Sequence, residues 1–328
     1  MQLRTKIWAS LAIAAFTLGA AQAGPLDKTE CIAPAKPGGG FDLTCKLAST
    51  ALLDGKYIAS PMRVSYMPGG IGAVAYNAIV AQRPDEANTI VAYSGGSLLN
   101  LAQGKFGRYN ENDVRWLAAI GTDYGAVIVA ESSPFKTIAD LVAAIKADPG
   151  KVVFGAGGSV GSQDWMKAAL TARAAGLDPK SMRFVAFEGG GEAITALQGG
   201  HVQVYSGDAS EAEEQIKAGA KIRVLAVLAD KRLEGPMAKT PTMKELGYDV
   251  QWPIIRGFFM GPKVSDADYK VWQGTFAKMM ATPEYNKLRA ERSLFKFALT
   301  GKELDAFIAE RMTTYRGLAK DFGLKVAQ

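Results

Sequence analysis

The stretch Cys31-Ile-Ala-Pro-Ala-Lys-Pro-Gly-Gly-Gly-Phe-Asp-Leu-Thr-Cys45 sets the reading of the whole chain. A short apolar block over 31–35 suits a buried strand, and the apolar spacing over 42–53 suits an amphipathic helix. Between them, Pro37-Gly38-Gly39-Gly40 lets the backbone turn sharply, and Asp42 stands where an N-cap is expected. The unit is a strand, a glycine loop and a helix. Cys31 and Cys45 are the chain's two cysteines and bracket that loop. In an exported protein such an even pair reads as a disulfide. A catalytic thiol would need a nearby histidine, and the single histidine is His201.

Working outward, the same unit recurs. Short apolar runs at 62–66, 89–93, 116–120, 125–130, 151–154, 182–186, 202–205, 222–228 and 257–261 read as strands. Helical patterns lie between them at 72–81, 138–147, 163–175, 192–198 and 209–218, and three more fill the tail at 266–280, 283–292 and 301–322. Alternation of this kind predicts an α/β fold. The order of the elements predicts two lobes, one discontinuous over 24–124 and 249–328, the other over 125–248. A chain that crosses twice between lobes favours a cleft that closes by hinge motion.

The first residues read as an export signal. Arg4 and Lys6 give a basic start, 7–21 is apolar, and Ala21-Gln22-Ala23 is a small-x-small cleavage site. Residues 1–23 are therefore expected to be a signal peptide cleaved after Ala23, leaving a free periplasmic product. Removing Arg4 and Lys6 lowers the formal charge from +6 to +4. Against so small an excess, with both signs interspersed, nucleic acid is not an expected partner. One histidine and two cysteines cannot supply a usual zinc site, and no nucleophile has a positioned base. The expectation is a protein that is not an enzyme and needs no metal or cofactor.

Glycine carries the functional signal, with 36 residues. Pro37-Gly-Gly-Gly-Phe-Asp42, Met67-Pro-Gly-Gly-Ile-Gly72, Ser94-Gly-Gly-Ser97, Gly155-Ala-Gly-Gly-Ser-Val-Gly-Ser162 and Glu188-Gly-Gly-Gly-Glu192 all fall at strand ends. Backbone N–H groups at such junctions, helped by helix N-termini, can surround an anion, and open α/β sheets bind ligands at that edge. None has the spacing of a nucleotide loop. Lys36 and Arg256 are the candidate cations, each with a solvated surface charge as the more ordinary reading, and Asp208 either lines the cleft or caps the next helix. His201 reads as a surface turn. Trp116, Trp165, Trp252 and Trp272 read as core.

With these motifs in place, the chain resembles the substrate-binding proteins of tripartite tricarboxylate transporters. The likeness rests on 31–45, on Arg63-Val-Ser-Tyr-Met-Pro-Gly-Gly-Ile-Gly-Ala-Val-Ala-Tyr-Asn77, and on the segments 94–106, 161–166 and 252–258. It implies a two-lobed, Venus-flytrap periplasmic-binding-protein fold of type II-like form, with the ligand cleft between the lobes. It also implies a receptor, expected to be monomeric, that captures citrate or a related tricarboxylate and passes it to a two-subunit membrane permease. A dicarboxylate or aromatic acid is the alternative ligand, and a membrane sensor kinase the alternative partner. Carried over residue by residue, the first lobe's grip falls on Pro37, Gly38, Gly39, Gly40, Phe41 and Asp42 and on Pro68, Gly69 and Gly70. Ser94, Gly95 and Ser97 extend it, and Ser159, Gly161, Ser162 and Gln163 close over the far end. Lys36 and the cysteine pair depart from the broad family and fit its citrate-binding branch. Citrate's three negative charges would then be balanced by Lys36, Arg256 and the helix N-termini.

Overall fold

In the computed structural model the described residues are Gly24 and 26–327, so the expected signal peptide lies outside them. Ten strands form one continuous hydrogen-bonded system. They are β1 (Glu30–Ala33), β2 (Arg63–Tyr66), β3 (Thr89–Ser94), β4 (Arg115–Ala130), β5 (Val153–Gly157), β6 (Arg183–Phe187), β7 (Val204–Asp208), β8 (Ile222–Leu228), β9 (Pro253–Met260) and β10 (Leu299–Thr300). The helices are α1 (Gly40–Asp54), α2 (Ala73–Ala81), α3 (Gly95–Ala102), α4 (Ile138–Ala147), α5 (Gln163–Ala174), α6 (Gly190–Gln198), α7 (Ala209–Lys217), α8 (Asp266–Met280), α9 (Pro283–Glu291) and α10 (Gly301–Asp321). The predicted α/β alternation is present, and the strands run in the order β2-β1-β3-β9-β4-β7-β5-β6.

β4 organises the molecule. Its first part, Arg115 to Tyr124, pairs with β9, while Gly125 to Ala130 pairs with β7 and β8. The sequence pattern predicts two strands here, because Gly121-Thr-Asp-Tyr124 interrupts the apolar run. The structure corrects this to one strand of 16 residues. Asp123 can lie inside it because its carboxylate accepts hydrogen bonds from the Tyr124 amide and Ser210 and pairs with Arg256. A buried polar group satisfied in this way does not break a strand.

A second difference is α3, which sequence patterning reads only as a glycine junction. Two glycines in the first turn weaken intrinsic helix propensity. Reciprocal capping offsets that: Gly96 N–H donates to Ser94 Oγ, and Ser94 N–H donates to Ser97 Oγ. Burial of the whole helix, much of it against α10, supplies the rest. The third difference is the start of α1. Its N-cap is Gly39, and Asp42 sits in the first turn, where Oδ2 accepts from the Gly38 amide at 2.8 Å. Asp42 therefore fixes the glycine loop from inside the helix.

The four tryptophans named above are core residues, none more than 7% exposed, and His201 is exposed. Cys31 and Cys45 form the expected disulfide, with Cα atoms 5.7 Å apart, joining β1 to α1 across the Pro37–Gly40 turn.

Candidate functional site

The glycine loops meet where the two halves of the strand system face each other. The end of β1 brings Gly39, Gly40 and Phe41, and that of β3 brings Ser94 and Gly96. From the other half come Gly157, Gln163 and Asp164 after β5, Gly189 and Gly190 after β6, and Asp208 and Glu211 after β7. These residues, with Arg256 of β9, enclose a cavity of about 40 Å³. It adjoins a larger cleft of about 470 Å³ that shares Ile71 and Asn100 with it and is also lined by Gly70, Ser159, Ser162, Glu188 and Glu192. Clustering at the carboxyl ends of β1, β3, β5, β6 and β7 is the usual position of a ligand site in an α/β sheet.

Bonds across the cleft hold it shut. The Lys36 ammonium pairs with Glu192 at 2.9 Å, and its amide donates to Glu188 O. Gln215 Nε2 donates to Gly38 O at 2.9 Å. On the far side, Gln103 Nε2 donates to Gly161 O at 2.7 Å and Lys105 Nζ to Val160 O at 2.7 Å. Burial brings the Lys105 ammonium down to about 8. Gly191 makes this closeness possible: a Cβ there would collide with the backbone oxygen of Pro37 across the cleft. Within each half, a Cβ at Gly40 would press on the Arg256 guanidinium and one at Gly190 on the Glu211 carboxylate.

The floor of the cavity is a buried charge network. Arg256, 1% exposed, donates from Nη2 to Asp123 Oδ2 at 2.8 Å and to Asp208 Oδ2 at 2.5 Å. Lys167 is fully buried and places Nζ 2.6 Å from Asp208 Oδ1, 2.8 Å from Asp164 Oδ1 and 2.6 Å from Gly207 O. Its three donors are thereby used. Tyr205 donates its hydroxyl to Glu211 Oε2 at 2.7 Å. Asp123, Asp164, Asp208 and Glu211 thus face only two cations. Burial tends to raise the Asp208 carboxyl, but Lys167 and Arg256 outweigh it and hold the group below its ordinary range. Burial raises Asp123 and Asp164 despite their cationic neighbours. Among the described residues, Glu211 has no cation paired with it. Burial, then the charges of Asp208 and Asp164, push it up to about 8.

A pH dependence follows. Glu211 binds its proton more tightly folded than unfolded, so the folded state holds more protons between about pH 4.5 and 8. Stability of the unliganded protein must fall as pH rises through that window. Glu211→Gln, which keeps the shape without the charge, is expected to be more stable than the parent at pH 8 by about 1–3 kcal/mol and similar at pH 4.5. Chemical denaturation at the two pH values measures it, and an equal difference at both would contradict it.

Of the residues singled out from sequence, Gly39, Gly40, Phe41, Ser94, Gln163, Asp208 and Arg256 line the inner cavity. Gly70, Ser159 and Ser162 line the outer cleft. Pro37, Gly38, Pro68, Gly69, Gly95, Ser97 and Gly161 line neither and shape the loops around them. Asp42 is spent on the Gly38 amide, Lys46 and the Tyr66 hydroxyl. Lys36 lies at the mouth with its charge taken by Glu192. Arg256 is no solvated charge, and Asp208 both lines the cavity and stands at the N-cap of α7 without capping through its side chain. Sequence reasoning missed Asp123, Asp164, Lys167, Tyr205, Glu211 and Asn100. The available signal was Asp164 and Lys167 spaced i, i+3 among buried residues, a pairing normally read as a solvated helix face.

The sequence pattern of the tripartite tricarboxylate transporter family receptors matches residues 51–324. The chain belongs to that family. Among its relatives, this receptor is 25% identical over 306 residues to a Cupriavidus necator protein designated UPF0065 protein in gbd 5'region, covering 89% of this chain and 86% of that one. A UPF0065 protein of Bordetella pertussis is 19% identical over 90% and 89% of the two chains. Solved structures share the receptor's fold at low identity. A periplasmic transporter superposes with a TM-score of 0.81 at 19% identity over 93% of this chain and all of the other. MatC from Rhodopseudomonas palustris, solved with malate, gives 0.75 at 17% over 89% and 99%, and an R. palustris protein with adipate gives 0.80 at 18% over 92% and 99%. The two-lobed binding-protein fold expected from the sequence is therefore the fold observed, and membership of the receptor family places the chain among substrate-binding proteins rather than enzymes.

Proposed function

We propose that this receptor works outside the cytoplasm, captures a small organic solute between its lobes, and delivers it in the closed form to a membrane permease. The lobes divide at 24–124 with 249–328 against 125–248. The observation that carries the reading is the convergence of glycine junctions from both halves on one small cavity, bridged by hydrogen bonds between the halves. Its volume of about 40 Å³ is far below the several hundred Å³ of an ordinary ligand pocket, so entry requires the lobes to part. Malate and adipate in structural neighbours support a small acid as the general class. A tricarboxylate suits the receptor less well, because Lys36 is already paired and the cavity floor carries a surplus of carboxylates.

A thermal-shift screen over small organic solutes, followed by mass spectrometry of each stabilising compound, tests this. The expected result is stabilisation of about 3 kcal/mol at a hundred times the dissociation constant, with the compound recovered unchanged. Chemical conversion of a stabilising compound, or no stabilisation by any compound, would overturn the reading.

A further inference from the structure

We infer that the ligand carries a protonated amine, seated among Glu211, Asp164 and the amide oxygens of Asn100 and Gln163. This rests on the receptor reading above and specifies the chemistry of the same site. The first observation is a mismatch in hydrogen-bonding groups. Asn100 is 3% exposed and lines both cavities; its amide nitrogen donates to Ile71 O, which leaves Oδ1 buried with no partner. Gln163 Oε1, in the inner cavity, and Glu188 Oε2, in the outer cleft, are likewise buried without a partner. All three are acceptors, and buried acceptors of this kind call for a donor. Among the described side-chain atoms lining the two cavities, the buried donor without a partner is Arg256 Nε.

The second observation is charge. Lys167 and Arg256 each contact Asp208, and each has one further carboxylate, Asp164 or Asp123. Glu211 faces the cavity with the Tyr205 hydroxyl as its hydrogen-bond donor and no paired cation among the described residues. A dianion or trianion would meet these carboxylates with only the Arg256 edge to pair it, whereas an ammonium pairs with Glu211 as that group ionises and supplies three donors in a compact head. The groups facing Glu211 are Tyr205 and Asp208 of β7, Asp164 of α5 and Arg256 of β9. Since Glu211 is raised by burial and by those carboxylates, seating an ammonium beside it releases a proton, and affinity rises as pH approaches about 8. The amine is the cationic end of a zwitterion whose carboxylate meets the unpartnered Arg256 Nε.

Calorimetry on the intact receptor decides, with citrate, malate, adipate, hexanoate, 6-aminohexanoate, 4-aminobutyrate and 1,4-diaminobutane as probes. At least one amine-bearing probe is expected to bind tenfold or more tightly than every amine-free one. Preference for the amino acids over the diamine is expected of a zwitterion, and the reverse would overturn the inference. Glu211→Gln should weaken the preferred probe tenfold or more while melting as a folded protein, and Asn100→Ala should weaken it severalfold. Citrate, malate, adipate or hexanoate binding as tightly as the amines would overturn the inference and leave the receptor reading standing. Affinity unchanged in both variants would also overturn it. In the broader solute screen, failure of every compound removes the receptor reading itself.

Discussion

Arg256→Ala is expected to destabilise the protein by about 3–5 kcal/mol, because it strips the cation from two buried carboxylates at once. Asp123 is 0% exposed and Asp208 4%, so neither can turn to solvent. Asp208 keeps Lys167 at 2.6 Å, whereas Asp123 retains only hydrogen bonds from Ser210 and the Tyr124 amide. The loss should therefore fall mainly on Asp123. It follows that Arg256→Ala combined with Asp123→Asn is less destabilised than Arg256→Ala alone, a non-additivity that a double-mutant cycle reads directly. The location sharpens the effect. Arg256 belongs to β9, Asp123 to β4 and Asp208 to β7, so one guanidinium ties together three strands at the meeting of the two halves. Urea unfolding measures the cost, and a loss below about 1 kcal/mol would mean that the network adds little.

Removing the disulfide has the next largest expected effect. Cys31 and Cys45 are both 0% exposed and 14 residues apart in sequence, and a loop of that size contributes about 3 kcal/mol by restricting the unfolded chain. Cys31→Ala with Cys45→Ala should lower stability by about that amount, and the parent under strong reductant should unfold at the same denaturant concentration as the double variant. Ligand affinity should fall as well, since Gly39 and Gly40 inside the closed loop line the cavity. An unchanged denaturation midpoint would overturn this.

The strand–loop–helix rhythm was legible because apolar runs and glycine junctions are local signals. Helices α4 and α8 and strand β8 fall where the periodicity puts them, each bounded by residues that end or cap it. The disulfide was legible from count and compartment. The elements that escaped depend on distant partners. β4 is unbroken because Asp123 meets Arg256, 133 residues away, and α3 is helical because α10 covers it. For the site, the glycines marked the place correctly but not its charge. Lys167 and Asp164 look like an ordinary solvated pair, and Glu211 sits in the acidic run Glu211-Ala-Glu-Glu214, so only the folded arrangement brings them to one buried spot. That difference moves the expectation from balancing an anionic ligand towards balancing an anionic site.

The continuity of β4 has a mechanical consequence. A single strand hydrogen-bonded to β9 along one stretch and to β7 and β8 along the next gives the two halves a common backbone ladder instead of a loose tether. Neither half can lose its sheet without fraying the strand that the other also uses. The molecule is thus expected to melt as one cooperative unit, and any relative movement of the two halves would have to twist β4 rather than pivot on a flexible link.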